Sequence, residues 1–250
     1  MKTIFCIDDT DNITSTRGTG ELAAMLIGEI ESRGWGKGGY IVRHQLFVHP
    51  DVPYTSHNSS MSFTLDVEED ALSEIIGFSG RFLEEMSEPG SDPGLCAAVT
   101  DKLNDSLSLI EFGKDAKCTV LTKYDAYSLA DRLGIHLSEH GGTGMGVIGA
   151  LAGVGLRLKG TDGRVRGKYF EDEKNQIKSV KDILSNSTIE VVSTKDGIAL
   201  DGDEKVLLGE KVKGVYMYGR SVLLVCQNLA ADKEAPWQTC PMEYIKSISG

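Results

Sequence analysis

Asp8, Asp9 and Asp11 place three carboxylates within four residues, directly after the apolar run Ile4-Phe5-Cys6-Ile7. Carboxylate oxygens are hard donors, and Mg²⁺ is commonly held through one or two of them together with the phosphates of a substrate. Three mutually repelling acids behind a buried strand need a compensating charge. The ordinary alternative is a solvated Asp-rich turn or a helix cap. The expectation is a Mg²⁺-phosphate site in which Asp8, Asp9 and Asp11 are both metal-holding and catalytic.

A second chemical motif is Glu139-His140-Gly141-Gly142-Thr143-Gly144-Met145-Gly146-Val147-Ile148-Gly149-Ala150-Leu151. Glycines let backbone N–H groups approach a phosphate, and the spacing of Val147, Ile148, Leu151 and Val154 predicts a helix that starts there and offers its positive end. Gly141, Gly142, Thr143, Gly144 and Gly146 are therefore expected to bind phosphate oxygens, against the alternative that such glycines serve close helix packing. The stretch Gly144-x-Gly-x-x-Gly149 matches a dinucleotide fingerprint only formally, and no Gly-Lys-Ser/Thr follows to make a Walker A loop. Arg17 and Arg43 are candidates to neutralise charge on a transferred group, and Gly18 stands beside Arg17. Thr19 reads either as a transient phosphate acceptor or as a helix cap. Of the five histidines, His57, next to Asn58, Ser59 and Ser60, and His140, next to the glycines, lie in polar loops suited to ligand contact. Arg17, Gly18, His57 and Asn58 are counted with the cofactor-binding residues.

These residues need elements to hold them. Four consecutive apolar residues suit a strand buried on both faces, as in a parallel sheet, with the acids at its carboxyl end, where open α/β sheets bind ligands. A helix is predicted from about Gly18 or Thr19 to Gly34, carrying Leu22, Met25, Leu26 and Ile30. A strand is predicted over Tyr40 to Val48, and a half-buried strand over Met61 to Val67. The spacing of Leu72, Ile75, Ile76, Ser79, Leu83 and Met86 predicts an amphipathic helix over 68–86, stopped by Pro89-Gly90. A short strand at Leu95 to Val99, a helix from Asp101 to Ile110 and a strand from Ala116 to Leu121 follow. That succession fits a small ferredoxin-like α+β module. From Thr188 onward, short β-like segments and Asp-Gly turns predict a small β-rich domain.

The chain has 250 residues, 40% hydrophobic and 25% charged, with a formal net charge of -11. That balance disfavours extended nucleic-acid binding, which rests on Lys and Arg neutralising phosphates. The one dense basic stretch is Arg157, Lys159, Arg164, Arg166 and Lys168, read first as solvation. Five scattered cysteines without a Cys-x-x-Cys pair give neither a zinc ribbon nor a disulfide framework. Cys6 and Cys118 lie in apolar, strand-like runs and read as structural. No signal sequence or membrane-length apolar run is present, so the expected location is cytoplasmic and no membrane partner is expected; a homo-oligomer is left open.

The motifs together resemble a known family. Ile7-Asp8-Asp9-Thr10-Asp11, then Arg17-Gly18-Thr19-Gly20-Glu21-Leu22-Ala23, then Asp92-Pro93-Gly94, then Gly146-Val147-Ile148-Gly149-Ala150-Leu151-Ala152 occur in the order seen in the archaeal tRNA-isoleucine 2-agmatinylcytidine synthetases (TiaS). The resemblance covers roughly residues 1 to 170. It implies a kinase-like domain with a ferredoxin-like domain built into it, and an ATP site made by the acid loop and the glycine loop with Mg²⁺ as cofactor. By position, Asp8, Asp9 and Asp11 match the family's acidic motif, and Thr19 falls where the family has a threonine that becomes phosphorylated. The chain shows neither the oligonucleotide-binding barrel nor the zinc ribbon of those enzymes, so it reads as a short homologue whose acceptor differs.

The expected fold class is mixed α/β and α+β. An ATP-binding kinase-like domain is expected over residues 1–57 and 123–184, a ferredoxin-like module over 58–122 and a small β-rich domain over 185–250. The expected function is ATP- and Mg²⁺-dependent phosphoryl or nucleotidyl transfer to a small molecule or nucleotide, kinase-like or ligase-like. Two alternatives are carried: a tRNA-modifying subunit that needs a separate RNA-binding partner, and a nucleotide-binding sensor without turnover.

Overall fold

The computed structural model describes residues 1–52, 58–167, 169–229 and 234–249. The chain divides into two compact units, Met1–Lys159 and Gly160–Gly250. The first unit contains, in order, β1 (Lys2–Asp8), α1 (Thr19–Ser32), β2 (Gly36–Gly38), β3 (Val42–Gln45), β4 (Ser59–Val67), α2 (Leu72–Met86), β5 (Gly94–Val99), α3 (Ser106–Asp115), α4 (Lys123–Leu133), β6 (His136–Glu139) and α5 (Gly146–Lys159). Both the class and the mixture of elements are those expected, α/β and α+β together.

β1 is buried on both faces. Phe5 and Ile7 pack with Leu22, Leu26 and Ile30 of α1 and Ile75 and Leu83 of α2. Ile4 and Cys6 pack on the opposite face with Leu109 and Phe112 of α3, Leu129 of α4 and Ala150, Leu151 and Val154 of α5. The alternation follows from the two-residue period of a strand, and a central strand covered by helices on both faces reads as a continuous apolar run. The expected parallel sheet is corrected, however. The strand order is β6-β5-β1-β4-β3 with β2 also beside β4, and β1 runs antiparallel to both its neighbours, pairing Cys6 with Ser62 of β4 and with Cys96 of β5. An apolar run reports burial on two faces; it carries no information about the direction of the neighbouring strand.

Other expectations shift at their ends. The Tyr40 to Val48 strand contracts to β3, the 68–86 helix begins at Leu72, and the Asp101 to Ile110 helix becomes α3 over Ser106–Asp115, capped by the Asp105 carboxylate on the Ser108 amide. No strand covers Ala116 to Leu121. The amides of Cys118 and Thr119 instead bond back to the Asp115 carbonyl, Cys118 is exposed, and Thr122 opens α4 through a capping box with Asp125. This short run is consumed by a helix exit and a helix entry.

Helix α5 packs against β1, β4, β5 and α3, and its glycines permit this. A β-carbon on Gly155 would sit inside the van der Waals envelope of the Leu109 carbonyl of α3, and one on Gly153 would overlap the side chains of Cys6 and Ser60. Gly155→Ala must push two backbones apart, which costs on the order of 2–3 kcal/mol. Chemical denaturation is expected to show that loss while the acid-loop geometry of β1 persists.

The second unit contains β7 (Arg164–Val165), β8 (Ile177–Ser179), α6 (Val180–Ser185), β9 (Val191–Thr194), β10 (Lys205–Leu207), β11 (Val215–Met217), β12 (Arg220–Gln227), β13 (Trp237–Thr239) and α7 (Met242–Ser249). Its strands follow the order β7-β11-β12-β13-β10-β8, with β9 parallel to β12. Val192, Val206, Leu208, Leu223 and Val225 form one core cluster with Ile183 of α6, and Leu224, Cys240 and Ile245 form another. Among the described residues no helix is long and apolar enough to cross a membrane.

Candidate active site

At the end of β1 the chain turns at Asp9, whose backbone is left-handed (φ 54°), a conformation that Asp and Asn adopt more readily than other side-chain-bearing residues. Asp8, Asp9, Asp11 and Thr19 then line a single cleft in the first unit. Asp51, Asn58, Ser59 and Thr119 complete its polar lining, while Leu46, Phe47, Val52, Val120, Leu121, Met145 and Ile148 give it apolar walls, with Gly146 and Gly149 contributed by α5. No lysine or arginine is among the described residues that line it.

Asp8 is 7% exposed, and it lies against the first turn of α5. The position of a β-carbon on Gly149 falls inside the Asp8 carboxylate, and one on Gly146 falls 3.1 Å from the Asp8 carbonyl oxygen. Burial pushes the Asp8 carboxyl well above its ordinary range, and the neighbouring charges of Asp9 and Asp11 add to that. Asp9 is pushed up to about 6, first by burial, then by Asp92, then by Asp11. Such shifts mean that the fully ionised cluster is short of positive charge.

The donor set fits Mg²⁺ in kind, since every candidate atom is a carboxylate oxygen. Among the described residues, no three His, Cys, Asp or Glu side chains converge as a ready metal cage. The arrangement therefore suits an ion held by one or two carboxylates with the remaining positions left to substrate and water.

Thr19 is buried, and its hydroxyl accepts a hydrogen bond from Thr10 Oγ1 at 3.1 Å. It is the first residue of α1, and Gly18 is the N-cap, with no side-chain cap bond; the helix-cap reading of Thr19 is corrected. Gly18 borders the acids, the Asp11 Oδ2 atom lying 3.4 Å from where its β-carbon would be. Asn58 donates to the Phe47 carbonyl at 2.6 Å and so ties the loop after β3 to the start of β4. Arg17 is directed elsewhere, with its guanidinium on the Met86 carbonyl at 3.5 Å and against Met25. Arg43 reaches the rim, donating from Nε to the cleft residue Ser59 at 2.9 Å. His57 lies outside the described residues.

The glycine loop divides. Gly146 reaches the cleft, whereas Gly141, Gly142, Thr143 and Gly144 are not in its lining. The groups of Thr143, the Gly141 carbonyl and the Gly144 amide are engaged within the protein. The Thr143 amide and hydroxyl both donate to the Asp92 carboxylate, the hydroxyl at 2.6 Å. The Gly144 amide bonds to the Gly141 carbonyl, and the Gly146 amide to the Asp92 carbonyl. Lys123 donates to the Thr143 carbonyl at 2.7 Å and to Glu139 at 3.0 Å. His140 is held away from the cleft, its ring between Ser138 (2.7 Å) and Glu84 (3.1 Å) and over Gly80 of α2.

Sequence reasoning did not single out Asp51, Phe47, Ser59 or Asp92 for chemistry. Asp92 carried the best signal, since Asp-Pro-Gly was visible as a motif, but its partner Thr143 is 51 residues away.

No family model and no curated protein matches the chain. Solved structures do. A tRNA fluorescent labelling enzyme matches with a TM-score of 0.53 and 29% identity, over 62% of this chain and 36% of that one. A TiaS complex with tRNA and ATP matches with a TM-score of 0.54 and 27% identity over the same shares. Apo TiaS, a tRNA agmatidine synthetase, matches with a TM-score of 0.53 and 19% identity over 91% of this chain and 66% of that one; this last comparison speaks to the fold alone. The chain thus spans about a third of the length of the first two structures, and the likeness in fold runs beyond residue 170, where the motif resemblance stops. Over most of its length, this chain has a TiaS-like fold.

Proposed function

We propose that the cleft binds ATP together with Mg²⁺ and catalyses transfer of a phosphoryl or nucleotidyl group in tRNA modification or a related reaction, with a cationic amine as the other small substrate. The observation that carries this reading is the convergence of Asp8, Asp9, Asp11 and Thr19 on one cleft that has apolar walls and no basic residue among those described in its lining. A bare triphosphate is repelled by such a site, whereas a metal-bound one supplies the missing positive charge. A bound Mg²⁺ neutralises phosphate charge and aligns the group to be transferred.

The chain's own residues divide the remaining work. Asp8, backed by α5, and Asp9, on its left-handed turn, present carboxylate oxygens at a fixed place, which is the positioning on which phosphoryl transfer depends. Phe47, Val120, Leu121 and Ile148 offer an apolar wall for a planar base or an alkyl chain. Asp11 and Asp51 give a cationic amine its counter-charge. Thr19 offers a hydroxyl inside the cleft, and the proposal places on it the acceptor role that the family resemblance implies. One solved TiaS complex, with a TM-score of 0.51 and 28% identity, holds agmatine and an ATP analogue alongside tRNA, which favours an alkylguanidine or diamine as the amine.

The test is to incubate the protein with ATP and Mg²⁺, with and without agmatine and tRNA, and to follow AMP, ADP and pyrophosphate. Nucleotide turnover that requires Mg²⁺ and rises with the amine is expected. AMP with pyrophosphate marks ligase-like chemistry, and ADP marks kinase-like chemistry. Turnover that is absent under every combination contradicts the enzymatic reading. Tight ATP binding in that case leaves a nucleotide sensor.

A further inference from the structure

We infer that Asp92 is a positioning residue for the acid cleft: it grips Thr143 and, through it, fixes the Gly141–Gly144 loop so that α5 begins directly behind Asp8. Thr143 is exposed at a loop tip, a place where polar groups are ordinarily left to water. Instead its amide and hydroxyl both donate to the Asp92 carboxylate, and its carbonyl accepts from Lys123. Asp92 also holds the loop from its backbone, its carbonyl accepting from the Gly146 amide at 3.1 Å. One residue thus binds both ends of the segment that leads into α5.

The loop is built to permit this grip. Gly142 and Gly144 have positive φ of 55° and 75°, a region that favours glycine. A β-carbon on Gly142 would collide with the Asp92 carboxylate, and one on Gly144 with Glu139. Lys123 closes the opposite side, held in turn by Glu139, which also accepts from Tyr127 at 2.9 Å. Two residues downstream of the clamped tip lies Met145, then Gly146 and Gly149, the points at which α5 meets the Asp8 carbonyl and carboxylate. Releasing the tip therefore frees the backing of Asp8 while leaving every cleft-lining side chain in the chain.

The catalytic consequence rests on the ATP reading above, but the loop-holding role does not, and the experiment separates them. Asp92→Ala removes both carboxylate oxygens that Thr143 donates to and leaves the backbone carbonyl on the Gly146 amide, whereas Asp92→Asn keeps an acceptor for the Thr143 amide and a donor for its hydroxyl. Hydrogen exchange at the Thr143 and Gly144 amides is expected to speed up about tenfold or more in Asp92→Ala and to stay near wild type in Asp92→Asn. For Mg²⁺-dependent ATP turnover, kcat is expected to fall about tenfold in Asp92→Ala and to recover to within about threefold in Asp92→Asn. Unchanged exchange in Asp92→Ala overturns the inference, whatever the nucleotide does. Equal loss of kcat in both variants also overturns it, because the charge itself is then required at the reacting groups. Faster exchange in a protein whose wild type neither binds nor turns over ATP refutes the proposed function and leaves the loop-holding role standing. Thr143→Val, which removes only the hydroxyl arm, is expected to fall between the two Asp92 variants in exchange.

Discussion

Asp9→Asn is expected to make the ligand-free protein more stable and its nucleotide chemistry at least about 100-fold slower, an order of loss typical of removing one charge-stabilising group. Asparagine fills the same volume and tolerates the left-handed backbone that Asp9 adopts, so the variant changes charge with little change of shape. The stability gain follows from the raised carboxyl. Its folded value is about 6, above the roughly 4 of an unfolded Asp. The folded state thus holds the proton more tightly, and this group's contribution to stability is fully present below the unfolded value and is lost as pH rises through about 6. Above that point the ionised carboxylate is a net cost, discounted for partial exposure to on the order of 1–2 kcal/mol. Removing it raises the thermal midpoint at pH 7.5 by about 3 °C for a chain of this size and flattens the fall in stability between pH 4 and 7. Asp8 is shifted in the same direction, so some slope persists in the variant. A variant that is less stable than wild type at pH 7.5 contradicts this electrostatic account of the cluster.

Gly149→Ala is the second variant with a large expected effect, and it strikes the same group from the opposite side. Its β-carbon falls inside the Asp8 carboxylate and 3.0 Å from a Leu46 methyl, so Asp8 must turn away or α5 must withdraw from β1. Overpacking of this kind costs about 1–3 kcal/mol. A displacement near 1 Å at a site that works by positioning reduces turnover about 100-fold. Gly155→Ala on the same helix is the matched control. It faces α3 rather than the cleft, so it is expected to lower the denaturation midpoint by a similar amount while the response to ATP and Mg²⁺ is retained. Equal nucleotide responses in the two variants, once each is shown to be folded, argue against Asp8 as a working member of the site.

Much of this site was legible in the sequence because its chemistry is local. The apolar run and the three acids are contiguous, and a strand followed by a turn brings them together without help from distant residues. Thr19 was legible from motif position and Asn58 from its polar loop, and both do reach the cleft. The apolar walls were not legible, since Phe47, Val120, Leu121 and Ile148 come from separate segments and each reads alone as ordinary core. Val120 and Leu121 were further disguised by a run that resembles a strand, whereas they link the turn after α3, which ends at Thr119, to the Thr122 cap of α4. Arg17 looked suited to phosphate because of its neighbours in sequence, but its guanidinium meets Met25 of α1 and the Met86 carbonyl at the end of α2. The glycine loop illustrates the same limit. Its glycines signalled close approach, yet the approach at Gly142 is to Asp92, a partner that local spacing does not reveal.

The most direct test of the central claim is the thermal midpoint of the wild-type protein with ATP and Mg²⁺ together, compared with each alone. A ligand that binds only the folded state stabilises it by about 2.7 kcal/mol at one hundred times its Kd. The account predicts a clear rise with both present and little or none with ATP alone, because the acid cluster repels an uncompensated triphosphate. An equal rise without Mg²⁺, or no rise at millimolar ATP with it, contradicts the account.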